Sequence, residues 1–491
     1  MLTILSTPVL AQETMLTIPE EVTGTITAAG QINTYTFSAS AGGIVSIFAH
    51  GEDSFDPVIA LADGSGRTLL VSDDYRYPDT RDALLEAVTL PRTGTYSIQV
   101  SGYGSSTGGY RLRLAPGFAQ INAEETFATS QGWELDGTLS GIVRSERLAA
   151  SVSGVRAFGA GFYQYVDPTA DVFVQVEVDA ITNPSGWTAG IAVRQTRDGY
   201  YALQVSDQGL WRFVSVADDA PQVIRDWTPH PNIVAGQTNF TLGLIANLQG
   251  FDFFYNRGYI GSVTDATFTA PGSVGVTLGT RSSLESTTTA TFDNFIVTTP
   301  TYIDGERIIP ERIIVGAAAE MQRALELRHR LQADGMMALT VPESTVAFAR
   351  DGINRLMLGR GTTYTHFALA ATVEIQAARS GLAGCGLVTR FTSENDYVLA
   401  YLDQTGGYGL SQRDGDGFMP GVYGENPNWG TDPVQLLIIA DVSTLYYYID
   451  GTYVGALEST ATAGEVGTAV VNYEAINTTC LYRDIWLWGW D

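Results

Sequence analysis

The residues of this chain whose types and spacing could do chemistry are mainly carboxylates. Asp53, Asp56, Asp73 and Asp74 fall in turn-rich sequence near the start, and Asp293 and Asp484 fall late in two strand-like segments. Hard carboxylate oxygens carried on loops suit Ca2+, so one structural calcium ion is expected, although no EF-hand spacing fixes its ligands. A second pattern joins a strand glutamate to a strand-end arginine, Glu177 with Arg194 and again Glu374 with Arg390. On neighbouring strands each would be a cross-strand ion pair. On an open sheet face they would grip a sugar or a peptide, with Tyr201, Trp211 and Tyr397 as aromatic neighbours. Nucleophilic and zinc chemistry find no support. Gly104-Ser-Ser106-Thr-Gly108 satisfies the nucleophile-elbow string but sits in a Gly/Ser turn without the helix an elbow needs. His50, His230, His329 and His366 are scattered singly, away from metal or triad spacing.

The elements that must position these groups follow from an internal match. The run AGIAVRQTRDGYYALQV at 189–205 is answered by CGLVTRFTSENDYVLAY at 385–401. In each, a Gly opens an apolar run ending in Arg, and a Tyr follows at the same interval, which reads as strand, short loop, strand. Further matches keep their order: FYNRGYIG at 254–261 with YYIDGTYVG at 447–455, GSVG at 272–275 with GEVG at 464–467, and TFDNFI at 291–296 with LYRDIW at 481–486. Such order implies a duplicated strand-rich unit. Cys385 and Cys480 stand where the first copy has Ala189 and Ala290. A pair gained together in one unit predicts a disulfide joining two strands.

Taken in order, residues 20–115 are short alternating runs broken by Gly, Pro and Asp, which implies a small antiparallel sandwich. Residues 116–125 read as a connector. The segment 126–300 carries nine candidate strands, with a hairpin at Asn256-Arg-Gly258 that needs positive φ. Residues 301–336 form a linker whose Ala-, Leu- and Arg-rich stretch at 316–335 predicts a helix, with Met321, Ala324, Leu325 and Leu331 on one face as a spacer packing on a neighbouring sandwich. The second strand-rich unit fills 337–491. Near its end Trp486, Trp488 and Trp490 alternate, so one face holds all three, either as sheet-on-sheet core or as an exposed platform.

At 20–115 the motifs GQINTYTF at 30–37, FDPVIALADGSG at 55–66, Asp73-Asp74, LPRTGTYSIQV at 90–100 and GYRL at 109–112 resemble the bacterial pre-peptidase C-terminal domain. That resemblance implies a non-catalytic sandwich accessory to secreted enzymes. The segments 126–300 and 337–491 resemble the concanavalin-like jelly roll of laminin-G-like modules and laminarinase-type glycosidases. Calcium often ties down strands in such rolls, which strengthens the expectation of one ion. The glycosidases carry two glutamates and an aspartate on one strand, placing two carboxyls about 5 Å apart. Here Glu177-Val-Asp179 gives the first half and Ile181-Thr182 breaks off the second, while the other copy reads Glu374-Ile-Gln376. No catalytic residue is therefore assigned.

Length and composition bound the rest. A chain of 491 residues accommodates about three domains, and 45% hydrophobic content suits packed cores. Net charge is −26 and all 27 basic residues are Arg. The charge disfavours nucleic acid as a partner, and the lack of lysine excludes Schiff-base chemistry. Residues 1–13 look like the later part of a secretory signal, with Val9-Leu10-Ala11 as a cleavage pattern and no basic start; with 14–19 they form a lead-in. No run is long enough to span a membrane as a helix. The expectation is an exported, all-β protein: an N-terminal β-sandwich plus two concanavalin-like jelly rolls joined by a short helical linker. Its expected role is non-catalytic binding or adhesion at a cell surface or in a matrix, toward an extracellular glycan or surface protein. A self-assembling surface-layer or filament subunit and a degenerate laminarinase-like hydrolase are the alternatives.

Overall fold

The structure is a computed structural model. It describes residues 14–490 apart from 76–79, 129–131, 180, 183–184, 219, 304–305, 308–313, 316–317, 328–329, 332–334, 360, 378–380, 416, 427–428 and 430–432. The signal-like segment at 1–13 and His329 lie outside the described residues. The fold is almost wholly β, and its one α-helix among the described residues has 10 residues. The chain folds as two compact units, Met1–Ile309 and Pro310–Asp491.

The first unit holds two sandwiches. The N-terminal one stacks a four-stranded sheet, ordered Glu20–Ile26, Gly108–Pro116, Ile44–Gly51, Ala83–Thr89, on a five-stranded sheet built around Asn33–Ala39, Gly94–Gly102 and Pro57–Ala62. Alternation explains most of these strands: in Asn33–Ala39 the buried positions are Tyr35 and Phe37. Ala83–Thr89 breaks the pattern, with all seven residues buried. The next sandwich accounts for part of this, because Ala87 and Phe118 pack with Phe173, Ile245 and Phe254 on its outer surface.

That next sandwich is the first roll. One sheet runs Leu139–Arg144, Arg147–Gly154, Ser286–Thr299, Val172–Asp179, Phe240–Asn247, Gly250–Tyr255, Gly258–Thr264. The facing sheet runs Trp133–Leu135, Phe158–Tyr163, Ser273–Thr280, Trp187–Thr196, Gly199–Ser206, Leu210–Ala217, Ala220–Pro229. Val172, Val174, Val176 and Val178 meet Ala189, Ile191 and Val193 in the core between them. The expected connector before this roll is instead partly a strand: Gln120–Glu125 pairs antiparallel with Ser286–Thr299, so its backbone bonds are satisfied within the sheet.

The second unit repeats the strand order. Met336–Phe348, Thr478–Trp490, His366–Ala377, Val434–Asp441, Thr444–Ile449 and Thr452–Glu458 make one sheet; Gly352–Leu358, Glu465–Asn472, Ala383–Ser393, Asp396–Asp403 and Gly407–Asp414 lead the other. Backbone exceptions recur at matching places. Positive φ falls at Arg194 and Arg390, at Leu248 and Val442, at Asn294 and Asp484, and in the two-residue hairpin turns Asn256-Arg257 and Asp450-Gly451. Both central residues of those turns have φ above zero, the geometry that matches strand twist.

One expectation changes here. Among the described residues the helix is Ala318–Leu327, and it packs Met321 and Leu325, with Leu331 beyond it, on Trp486, Trp488, Ala368 and Ile439 of the second roll. The alternating tryptophans are thus neither sheet-on-sheet core nor an open platform. Ile485 and Leu487 face the sandwich interior, while Trp486 and Trp488 point to the other side and lie beneath the helix.

Candidate functional site

The two strand-end arginines prove to be internal ties. Arg194 sits at a bulge of Trp187–Thr196, buried, and donates from Nε to Ala170 O at 2.8 Å, from Nη1 to Phe268 O at 3.1 Å and from Nη2 to Leu248 O. Arg390 does the same in the second roll, donating to Tyr364 O at 2.7 Å, Thr365 O at 2.8 Å and Val442 O at 2.5 Å. Positive φ at the bulge turns each side chain down among the loops that close one end of its sandwich. Gly272 and Gly464 accept the bulge at close range, since a Cβ there would meet the backbone of Arg194 or Arg390 within 2.5 Å. Burial holds both guanidiniums below the usual arginine range, Arg390 at about 10, while Asp171 Oδ1 at 3.9 Å opposes the shift at Arg194.

The expected Glu–Arg pairs therefore do not form. Glu177 lies in the opposite sheet from Arg194 and accepts from Asn294 Nδ2 at 2.9 Å; Glu374 pairs with Arg483 at 3.0 Å. Trp211 is buried in the core against Phe253. Tyr201 and Tyr397, which the sequence match sets together, point to opposite sides of their sheets. Tyr201 is in the sandwich interior, its hydroxyl donating to Asp265 at 2.5 Å; Tyr397 is on the outer side, under the Arg355 guanidinium at 4.5 Å. The cause is one residue of hairpin length. Pairing resumes at Thr196↔Gly199 in the first roll and at Ser393↔Asp396 in the second, one position further from the arginine. A one-residue slip flips every side chain that follows. Gly190 faces Gln204, and Gly386 faces Tyr401.

The ligand residues proposed from sequence are thus mostly interior, and the outer faces of these sheets carry the reachable groups. On the second roll a row crosses the sheet through Gly386, Tyr401, Gly409 and Tyr423. Gly409 lets two rings lie over it: a Cβ there would come within 2.6 Å of Tyr401 and 2.9 Å of Tyr423. Tyr473 stands against Tyr401 at 6.4 Å between ring centroids, and Tyr423 and Tyr473 are 55% and 49% exposed. The equivalent row of the first roll is Thr277, Gly190, Gln204 and Arg212. Arg212 Nε donates to Gln204 Oε1 at 2.6 Å, and the Arg212 and Arg281 guanidiniums lie 4.6 and 4.5 Å from the Trp227 ring centroid. Sequence held one signal for the tyrosines, alternation through Tyr397, Leu399, Tyr401 and Asp403, which the assumed pairing of Tyr397 with Tyr201 concealed.

Of the acidic residues, Asp56, Asp73 and Asp74 come together, each offering an oxygen within 4.8 Å of the others, the one such group among the described residues. Oδ1 of each is buried without a hydrogen-bond partner. Burial, then repulsion from Asp74 and Asp56, pushes Asp73 up to about 7, and burial also raises Asp56 and Asp74. Three unpaired inward oxygens fit a hard cation. The other three candidates lie elsewhere. Asp53 is exposed on a turn, Asp293 is 3.3 Å from Arg147 Nε, and Asp484 is exposed on a strand bulge. Cys385 and Cys480 are joined by a disulfide that crosses between the two sheets of the second roll.

Residues 31–102 match the bacterial pre-peptidase C-terminal domain. No curated protein matches the sequence. Among solved structures, the carbohydrate binding module CBM66 from Bacillus subtilis is 16% identical, with a TM-score of 0.28 over 34% of this chain and 96% of that one. A prokaryotic β-1,3-1,4-glucanase (lichenase) from a mouse hindgut metagenome is 12% identical, with a TM-score of 0.28 over 36% and 98%. Bacillus licheniformis β-glucanase is 10% identical, with a TM-score of 0.29 over 37% and 99%. None of the described helices is long and apolar enough to cross a membrane.

Proposed function

We propose that this protein is an extracellular, non-catalytic glycan-binding protein that presents ligand on the outer sheet faces of its two rolls. The observation that carries the reading is the tyrosine cluster of Tyr401, Tyr423 and Tyr473, the last two about half exposed, over a floor opened by Gly409. Aromatic rings anchored on a rigid sheet offer apolar surface to the C–H side of a sugar ring and hydroxyls to its polar edge. The half carboxylate pattern supports binding over cleavage. Asp179 is held by Arg147 and Asn239, and Glu177 by Asn294, so each is committed to a neighbour. A pre-peptidase-type sandwich at the N-terminal end accords with export. Asp56, Asp73 and Asp74 would hold one calcium ion, which would neutralise their repulsion and fix the loops that carry them.

The test is binding of the full chain to a panel of neutral polysaccharides, laminarin, lichenan and levan, by affinity electrophoresis. Retardation by at least one, reduced tenfold or more in Tyr423→Ala and Tyr473→Ala, is the expected result. No retardation by any, or retardation untouched by both substitutions, overturns the reading. Release of reducing ends from the same panel would overturn its non-catalytic part.

A further inference from the structure

The first roll has no counterpart of the tyrosine cluster and carries cations at that place. Arg212 is half-buried, its Nε fixed by Gln204 and its plane set on Trp227. Its two terminal nitrogens have no protein hydrogen bond and are not enclosed. Arg281 stands on the same indole, so two like charges are held near one ring. Burial and the neighbouring Arg281 both pull Arg212 below its usual range. Two carboxylates face the pair: Asp226, whose charge pulls Arg212 back up, and Asp207, the ion-pair partner of Arg281 at 3.9 Å. Beside them Gly190 lets its neighbours close in tightly, since a Cβ there would meet Leu203 O at 1.9 Å and Thr277 Oγ1 at 2.6 Å.

We infer that the outer face of the first roll binds a carboxylated sugar, a uronic acid within a polysaccharide, with its carboxylate on Arg212 and Arg281. A guanidinium already locked at Nε and stacked on an indole loses little freedom on binding, and its free fork matches a planar carboxylate in two parallel hydrogen bonds. This inference rests on the reading that the outer faces of the rolls bind glycan, and it assigns the two faces different ligands.

The full chain is titrated with polygalacturonate, with the same polymer fully methyl-esterified, with dextran sulfate and with laminarin, at physiological salt. Polygalacturonate is expected to bind at least tenfold more tightly than its ester. Arg212→Gln and Arg281→Gln should each remove that advantage. The esterified polymer removes the charge without touching the protein, so a variant that fails to fold does not spoil the test. Equal binding of acid and ester, equal or tighter binding of dextran sulfate, or an advantage that survives both substitutions overturns the inference. If laminarin binds while polygalacturonate does not, this inference alone falls; if neither binds, the glycan-binding reading falls with it.

Discussion

Arg194 and Arg390 show how one side chain can hold three loops at once. Replacing the buried Arg390 with Met leaves the part-buried carbonyls of Tyr364, Thr365 and Val442 without their donor, and each such loss costs on the order of 1 kcal/mol or more. A fall of about 3 kcal/mol or more in the second unit's stability is expected, read as a lower urea midpoint. Lys should not rescue it, because a point ammonium cannot reach three divergent acceptors. Asp73 yields a pH prediction for protein in excess EDTA. Its folded value near 7 lies above the ordinary aspartate value of about 3.9. The folded state therefore binds the extra proton between these limits, and stability falls as pH rises through that window. Asp73→Asn should flatten the slope seen by thermal melting, and millimolar calcium should raise the melting temperature near pH 7. A melt unchanged by calcium would remove the ion from the account.

At the scale of elements, the disulfide ties the two sheets of the second roll together and the helix covers the outer face of one of them. Cys385 and Cys480 close a loop of 95 residues, a length for which chain entropy gives an upper stabilisation of about 4–5 kcal/mol. Reduction, or Cys385→Ala with Cys480→Ala, should lower the melting temperature of the second unit and leave the first unchanged. The double variant should still fold, since Ala189 and Ala290 fill the same places in the first roll. Leu325→Asp should strip the helix from Trp486 and Trp488, seen as a red shift of tryptophan fluorescence. Strands with clean alternation, such as Asn33–Ala39, were legible from sequence, as was the cysteine pair. Ala83–Thr89 and Gln120–Glu125 were not, because partners distant in sequence satisfy them. The site was least legible, since burial of Arg194, Tyr201, Trp211 and Arg390 depends on a bulge and on register, which composition and spacing do not encode.

For the whole molecule, two compact units, 1–309 and 310–491, lead to the expectation of two calorimetric transitions, only the one belonging to the second unit responding to dithiothreitol. One transition that moves as a whole would show that the units unfold together. The extra residue in the hairpin between Ala383–Ser393 and Asp396–Asp403 has a consequence of another kind. An insertion in a loop ordinarily lengthens what hangs from a sheet. Here it exchanges the two sides of the strand that follows, so that a protein can acquire a new surface chemistry from a single codon, with no substitution in the strand itself. Residues paired by sequence alignment across such a turn, as Tyr201 and Tyr397 are, never share an environment, and a profile averaged over both would describe neither face.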